Sequence, residues 1–246
     1  MIKFQKLSLT LLTGMLLTSS AWSQSWLPAY NRLLHTYSSD RGINYTKWKK
    51  NSNDVKQLEK IVSVLATQIP PDTNDAREIA YYANAYNILV IHGVLQNYPI
   101  RSVKDVAANF GFFSQKNFTL GGRKVSLNDI EKVRLLKQFG DARIHFIVNC
   151  ASISCPSVPI VALTPENVDY LMDASATDFL NKHQDGIRIH SDGSYSISKL
   201  FDWYANDFEA SSGSIVTFIN RYRNSPIPEK AKIRYLDYDW GLNQFQ

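Results

Sequence analysis

Both cysteines of the chain fall in one short stretch, His145-Phe-Ile-Val-Asn-Cys-Ala-Ser-Ile-Ser-Cys-Pro156, and thiol chemistry offers two readings of it. Four residues separate Cys150 from Cys155. A turn of that length brings two Cα atoms into the roughly 4.4–6.8 Å window of a disulfide. In the other reading Cys150 stays free and acts as a nucleophile, which calls for a neighbouring base because the thiolate is the reactive form. The gap is longer than the two-residue gap of a thioredoxin motif, which argues against disulfide exchange as the main activity. No two histidines stand four apart on a helix, so the spacing predicts neither a metal site nor a cofactor.

A base for Cys150 must come from an element that packs on this stretch. Ile144 to Val148 reads as a short strand, along which His145 and Cys150 would lie roughly 16 Å apart and point to opposite faces. That geometry separates the pair and leaves His92 as the expected base, with Glu131 to orient it and Asn149 or the turn amides to stabilise an oxyanion. His145, Ser154 and Cys155 are then expected to line the site. Asn84, Tyr86 and Asn87 join them from the helix that carries His92. The two asparagines lie in an otherwise apolar sequence, Ile79 to Ile91, where each unsatisfied buried amide costs roughly 1–3 kcal/mol. Something polar must face them.

The elements that would hold these residues follow from periodicity. Apolar positions Val55, Leu58, Ile61, Val62 and Leu65 mark a helix from Asp54 to Ile69, ended by Pro70-Pro71. The next helix, about Asp75 to Asn97, is apolar on nearly every side and is expected at the centre of the fold. Phe118 to Leu120 and Lys124-Val125 flank Gly121-Gly122 as a hairpin. Ser126 with Asp129 caps the following helix. Thr164-Pro165 starts another helix, with Val168, Leu171, Met172, Ser175 and Phe179 facing inward. Ile187 to Ile189 and Tyr195 to Ile197 form a second hairpin around Asp192-Gly193. Phe201, Trp203, Tyr204 and Phe208 could build a sugar platform, but Phe201, Tyr204 and Phe208 have helical spacing and read as core, with Asp207 beside them as a solvated or capping group. The expected fold class is α+β: a single domain in which a buried central helix packs on a small antiparallel sheet with two hairpins, preceded by an N-terminal helical extension.

Several of these strings together resemble the domain of unknown function 547 family: Asn84-Ala-Tyr-Asn87 with His92 beyond it, Gly121-Gly122, Ser126 to Glu131, His145 to Pro156, Thr164 to Asn167, Ser198 to Tyr204 and Tyr238-Asp-Trp240. The resemblance runs from about Arg77 to Asn243. It implies matching positions at Asn84, Tyr86, Asn87, His92, Glu131, Asn149, Cys150, Ser154 and Pro156, and it brings no settled activity. Lys132 stands where bacterial members tend to have His, and Ala151 where Gly is usual.

Composition bounds the setting. Lys3 and Lys6 precede the apolar run Leu7 to Leu17, and Ala21-Trp-Ser23 follows, which reads as a secretory signal peptide over residues 1–23. Loss of that leader lowers the net charge from +5 to +3. The expectation is therefore a periplasmic or secreted protein without stable membrane insertion after cleavage, with an extension over residues 24–72 and the main domain over 73–246. No run of Lys and Arg interleaves with aromatics, which excludes nucleic acid as the expected partner. Two functions remain in view. One is a thiol-dependent hydrolase or acyltransferase acting on an amide or ester of a small-molecule or peptide ligand. The other is a binding or scaffold module with a structural Cys150–Cys155 disulfide.

Overall fold

The fold is built around one helix too apolar to sit anywhere but inside. The computed structural model describes residues 24–245, so the expected signal peptide lies outside the described residues. Helix α1 (Leu27–Tyr37) leads through the two-residue strands β1 (Ser38–Ser39) and β2 (Gly42–Ile43) to α2 (Tyr45–Lys50) and α3 (Ser52–Thr67). The central helix α4 (Ala76–Asn97) starts at Asp75, whose carboxylate accepts the Arg77 amide, and it buries all but a few of its side chains. Helices α1 to α3 share its hydrophobic core through Tyr30, Leu34, Trp48, Leu58 and Ile61. Among the described residues no helix is long and apolar enough to cross a membrane.

Beyond α4 a short α5 (Gly111–Ser114) precedes the hairpin of β3 (Phe118–Leu120) and β4 (Arg123–Val125). Gly121 and Gly122 take φ values of +57° and +77°, the left-handed turn that a two-residue hairpin loop demands. Their amides also donate to the carbonyls of Leu65 and Ala66, which closes the C-terminus of α3. Ser126 and Asp129 exchange backbone and side-chain hydrogen bonds as a capping box at the entry to a π-helix, Asp129–Lys137. Helix α6 (Val168–Asn181), the hairpin of β5 (Ile187–Ile189) and β6 (Tyr195–Ile197), and helices α7 (Leu200–Trp203), α8 (Ala205–Ser212) and α9 (Ile215–Tyr222) follow. Strand β7 (Ile233–Tyr235) adds to β6 in parallel. The class is α+β.

The strand expected over Ile144 to Val148 is not there. Ala142–Phe146 is a 3-10 helix, capped by Asp141 accepting from the Arg143 amide. The reason is burial on every side. Ile144 and Ile147 enter the core around α4, whereas Ala142 and Phe146 enter a second core with Phe179, Phe201, Phe208 and Phe218. A segment wedged between two cores is apolar all round, and a short apolar run does not tell strand from helix.

Irregular backbone inside a protein needs partners for its peptide groups, and the two asparagines of α4 supply them. The Asn87 amide donates to the Ile147 carbonyl at 2.8 Å and its oxygen accepts the Asn149 N–H at 2.9 Å. Asn84 grips Leu163 in the same manner, at 2.8 Å and 3.0 Å. These bonds replace the ladder that a strand would have made. Replacing Asn87 by Ala strands one carbonyl and one amide, so we expect a loss of about 2–4 kcal/mol in urea unfolding. A change below about 0.5 kcal/mol would contradict the clamp.

Candidate active site

Past Asn149 the chain enters a turn whose polar groups are nearly all committed. The Asn149 side chain donates to the Pro156 carbonyl at 2.6 Å and accepts from the Ala151 amide at 2.7 Å and from Asn243 Nδ2 at 2.9 Å. Ser154 Oγ donates to Asp185 at 2.8 Å and accepts from the Asp239 amide at 2.8 Å. The amides of Ile153, Ser154 and Cys155 donate to Gly241, Asp239 and Ser152. Asn149 and the turn amides are thus structural ties, which corrects their expected oxyanion role. Ala151 adopts φ +60°, a left-handed conformation that glycine takes without strain.

Out of this frame Cys150 looks into a cavity of about 280 Å³ shared with Tyr86, Glu131, His145, Tyr204 and Tyr238. Both thiols are free. Cys150 Sγ lies 2.8 Å from Ser152 Oγ and 3.1 Å from Tyr238 Oη, and the Cys150 N–H donates to Cys155 Sγ at 3.1 Å. Burial by itself would raise the Cys150 thiol, but hydrogen bonds from Cys155, Ser152 and Tyr238 outweigh it and hold Cys150 below the ordinary cysteine value. Cys155 goes the other way, pushed well up by burial and by its bond to Cys150. The pair is asymmetric: Cys150 is the more acidic sulfur and Cys155 the less acidic one.

The structure brings His145, and not His92, to this sulfur's cavity. The segment is helical rather than extended, and His145 and Cys150 both line the same cavity. Its Nε2 lies 2.9 Å from Asp207 Oδ2, and its ring packs on Tyr204 with centroids 4.1 Å apart. A carboxylate at Nε2 favours the tautomer that carries its proton there, which leaves Nδ1 as the basic nitrogen. His92 is a correction. It projects toward α3, with Nε2 3.3 Å from Gln96 and Glu59 nearby, and partial burial lowers its pKa against the opposing pull of that carboxylate. It is absent from the cavity wall because it leaves α4 on a different face from Tyr86.

Glu131 projects from the π-helix and accepts the Tyr204 hydroxyl at 3.1 Å, with Tyr86 hydrogen-bonded to the same carboxylate. Burial, followed by Glu131, pushes the Tyr86 and Tyr204 hydroxyls well up, so both stay protonated donors. Glu131 therefore orders two tyrosines rather than the expected His92. Two further polar side chains line the cavity, Asn128 and Lys132, and neither has a side-chain hydrogen bond or ion pair among the described residues. Asn128 immediately precedes the π-helix and Lys132 stands four residues on, at the position where bacterial members of the resembled family tend to have His. Asp207, expected as a solvated or capping group, and Tyr238, expected only as part of a resemblance string, turn out to meet His145 and Cys150, partners 62 and 88 residues away. A second cavity of about 550 Å³ reaches Cys155 and Asn149 but not Cys150. Among the described residues no three His, Cys, Asp or Glu side chains converge as a metal site.

Alkylation reads the sulfur directly. With iodoacetamide, Cys150 is expected to react with a half-maximal rate at a pH below the ordinary cysteine pKa of about 8.5, while Cys155 stays unmodified in the folded protein. Tyr238→Phe removes one donor and should move that midpoint upward. A midpoint above the ordinary value in the native chain would contradict the assignment.

Comparison with curated proteins and with solved structures finds no match to this chain. Residues 70–180 match a family model described as "Protein of unknown function, DUF547". That segment, a little under half of the chain, holds the central helix, the glycine hairpin, the π-helix and the cysteine turn, and over it the chain is similar to this family.

Proposed function

We propose that the protein is a thiol-dependent hydrolase or acyltransferase acting on an amide or ester, with Cys150 as nucleophile and the His145–Asp207 pair as its proton carrier. The observation that carries this reading is the meeting of a partly buried, hydrogen-bonded thiol and a carboxylate-oriented imidazole in one cavity. The basic and apolar leader supports export of the chain before it acts.

In the first step the sulfur bonds to the substrate carbonyl carbon as the thiol proton passes to His145 Nδ1. The imidazolium, held by Asp207, returns that proton to the departing amine or alkoxide as the C–N or C–O bond breaks. Water or a second acceptor then attacks the thioester and gives a proton to the same nitrogen. As the C–S bond breaks, the sulfur recovers the proton and the thiol is restored. No hydrogen bond spans sulfur and imidazole here, and catalytic contacts of this kind often close only around a bound substrate. Asn128 and Lys132 supply the cavity's unengaged donors for the carbonyl oxygen, in place of the committed turn amides. A scaffold module has less support, because a purely structural turn gains nothing from a depressed Cys150 beside an oriented histidine.

Incubation with p-nitrophenyl acetate, read by nitrophenolate release and by mass spectrometry of the trapped protein, tests this. An acetyl group is expected on Cys150, abolished by Cys150→Ala. His145→Gln should slow turnover by roughly a hundredfold or more, whereas His92→Gln should leave it unchanged. Sensitivity to the His92 change, with none to the His145 change, would restore the other base.

A further inference from the structure

One wall of the cavity is aromatic, and apart from the Tyr238 hydroxyl it has no part in the chemistry above. Phe110, Trp203, Tyr238 and Trp240 form a continuous aromatic surface, with Trp240 centred 5.0 Å from Phe110, 5.9 Å from Trp203 and 4.8 Å from Tyr238. Trp203 is also 4.8 Å from Tyr238, whose hydroxyl touches the nucleophile. The surface thus begins at the sulfur and runs outward to the mouth. There Phe110 and Trp203 remain 43% and 45% exposed, too much for core residues.

Phe110 is held in this position against its own backbone preference. Asn109 and Phe110 take φ of +53° and +56°, a conformation that bulky residues rarely adopt. Strain of this kind persists only where the surrounding structure imposes it, and it gathers at binding sites. Its result here is to set the Phe110 ring against Trp240 at the cavity rather than in the core.

The polar groups nearby decide what such a wall can receive. Glu131 is bonded to two tyrosines, and Ser152 and the Tyr238 hydroxyl are bonded to Cys150. Asn128, Lys132 and His145 Nδ1 are assigned to the reacting carbonyl and its leaving group. A sugar ring could stack on tryptophan, but along this face its hydroxyls would find little beyond Lys104 Nζ, 5.5 Å over the outer Phe110 ring. An apolar chain loses nothing there, and it gains by displacing water from exposed aromatic surface.

We propose that the aromatic wall is the acyl-chain subsite, so that the substrates are esters or amides of apolar carboxylic acids. The inference deepens the function proposed above and rests on its placement of Cys150 at the inner end of the wall. The scissile carbonyl sits at the sulfur, and the acyl chain runs past Tyr238 and Trp240 toward Trp203 and Phe110.

Two measurements on the full-length protein test it. The first compares kcat/KM for p-nitrophenyl octanoate and p-nitrophenyl acetate. The octanoate ester is expected to be better by roughly tenfold or more. Trp203→Ala, or Trp203→Leu should the first variant fold poorly, should shrink that ratio severalfold. A ratio near one, or one that these variants leave intact, overturns the proposal. The second follows tryptophan fluorescence of Cys150→Ala during titration with octanoate, acetate or N-acetylglucosamine. Octanoate alone is expected to give a saturable change, and a response only to the sugar overturns the subsite. Octanoate binding without any acylation of native Cys150 would remove the catalytic reading and leave the subsite standing.

Discussion

The cysteine turn has no regular secondary structure to satisfy its backbone, so it depends on amide side chains that do so from outside. Asn87 reaches across from the central helix to close the peptide groups around Ile147 and Asn149. Asn149 then serves Ala151 and Pro156, and Asn243 braces Asn149 from the C-terminal tail. Buried amides left unpaired are costly, and here each one is paired with backbone that would otherwise be left unpaired too. The rigidity of the sulfur follows from this exchange.

Once the turn is held, the site assembles from parts that are far apart in the chain. The π-helix contributes Glu131, α7 and α8 contribute Trp203 and Asp207, and the tail after β7 contributes Tyr238 and Trp240. Helices with i to i+5 bonding are rare and are often found at functional sites, where the extra residue in the turn redirects side chains. In this protein the π-helix aims Glu131 inward to the two tyrosines while leaving Lys132 exposed at the mouth. The left-handed residue Ala151, directly after Cys150, is strain of the sort that a well-tied frame can sustain.

The divided behaviour of the two thiols has the same origin. They are chemically identical and five positions apart, yet their surroundings favour opposite protonation states. Tyr238 and Ser152 converge on Cys150 alone, while Cys155 is buried beneath it and lends its own sulfur to the Cys150 amide. Placement relative to hydroxyl donors, more than spacing along the chain, sets which sulfur is the more acidic.

Much of the architecture was legible in the amino-acid order, because local forces write locally. The all-apolar run of α4, the Gly121-Gly122 turn, the Ser126–Asp129 capping box and the need of Asn84 and Asn87 for partners each follow from a few adjacent residues. The polar centre was located at the meeting of α4 and the Cys150 turn for the same reason. Which histidine serves it was not legible. The run from Ile144 to Val148 looks the same to a periodicity argument whether it forms a strand or a helix wedged between two cores, and that difference alone moves His145 from the far end of a strand to the cavity. The pairings of His145 with Asp207 and of Cys150 with Tyr238 join segments many turns of chain apart, and no local pattern encodes them. The sequence by itself determined the buried helix, the turns and the chemically able residues, since these rest on short-range sterics and burial. Only the tertiary structure decided which of those residues meet, since that depends on how two hydrophobic cores close around one segment.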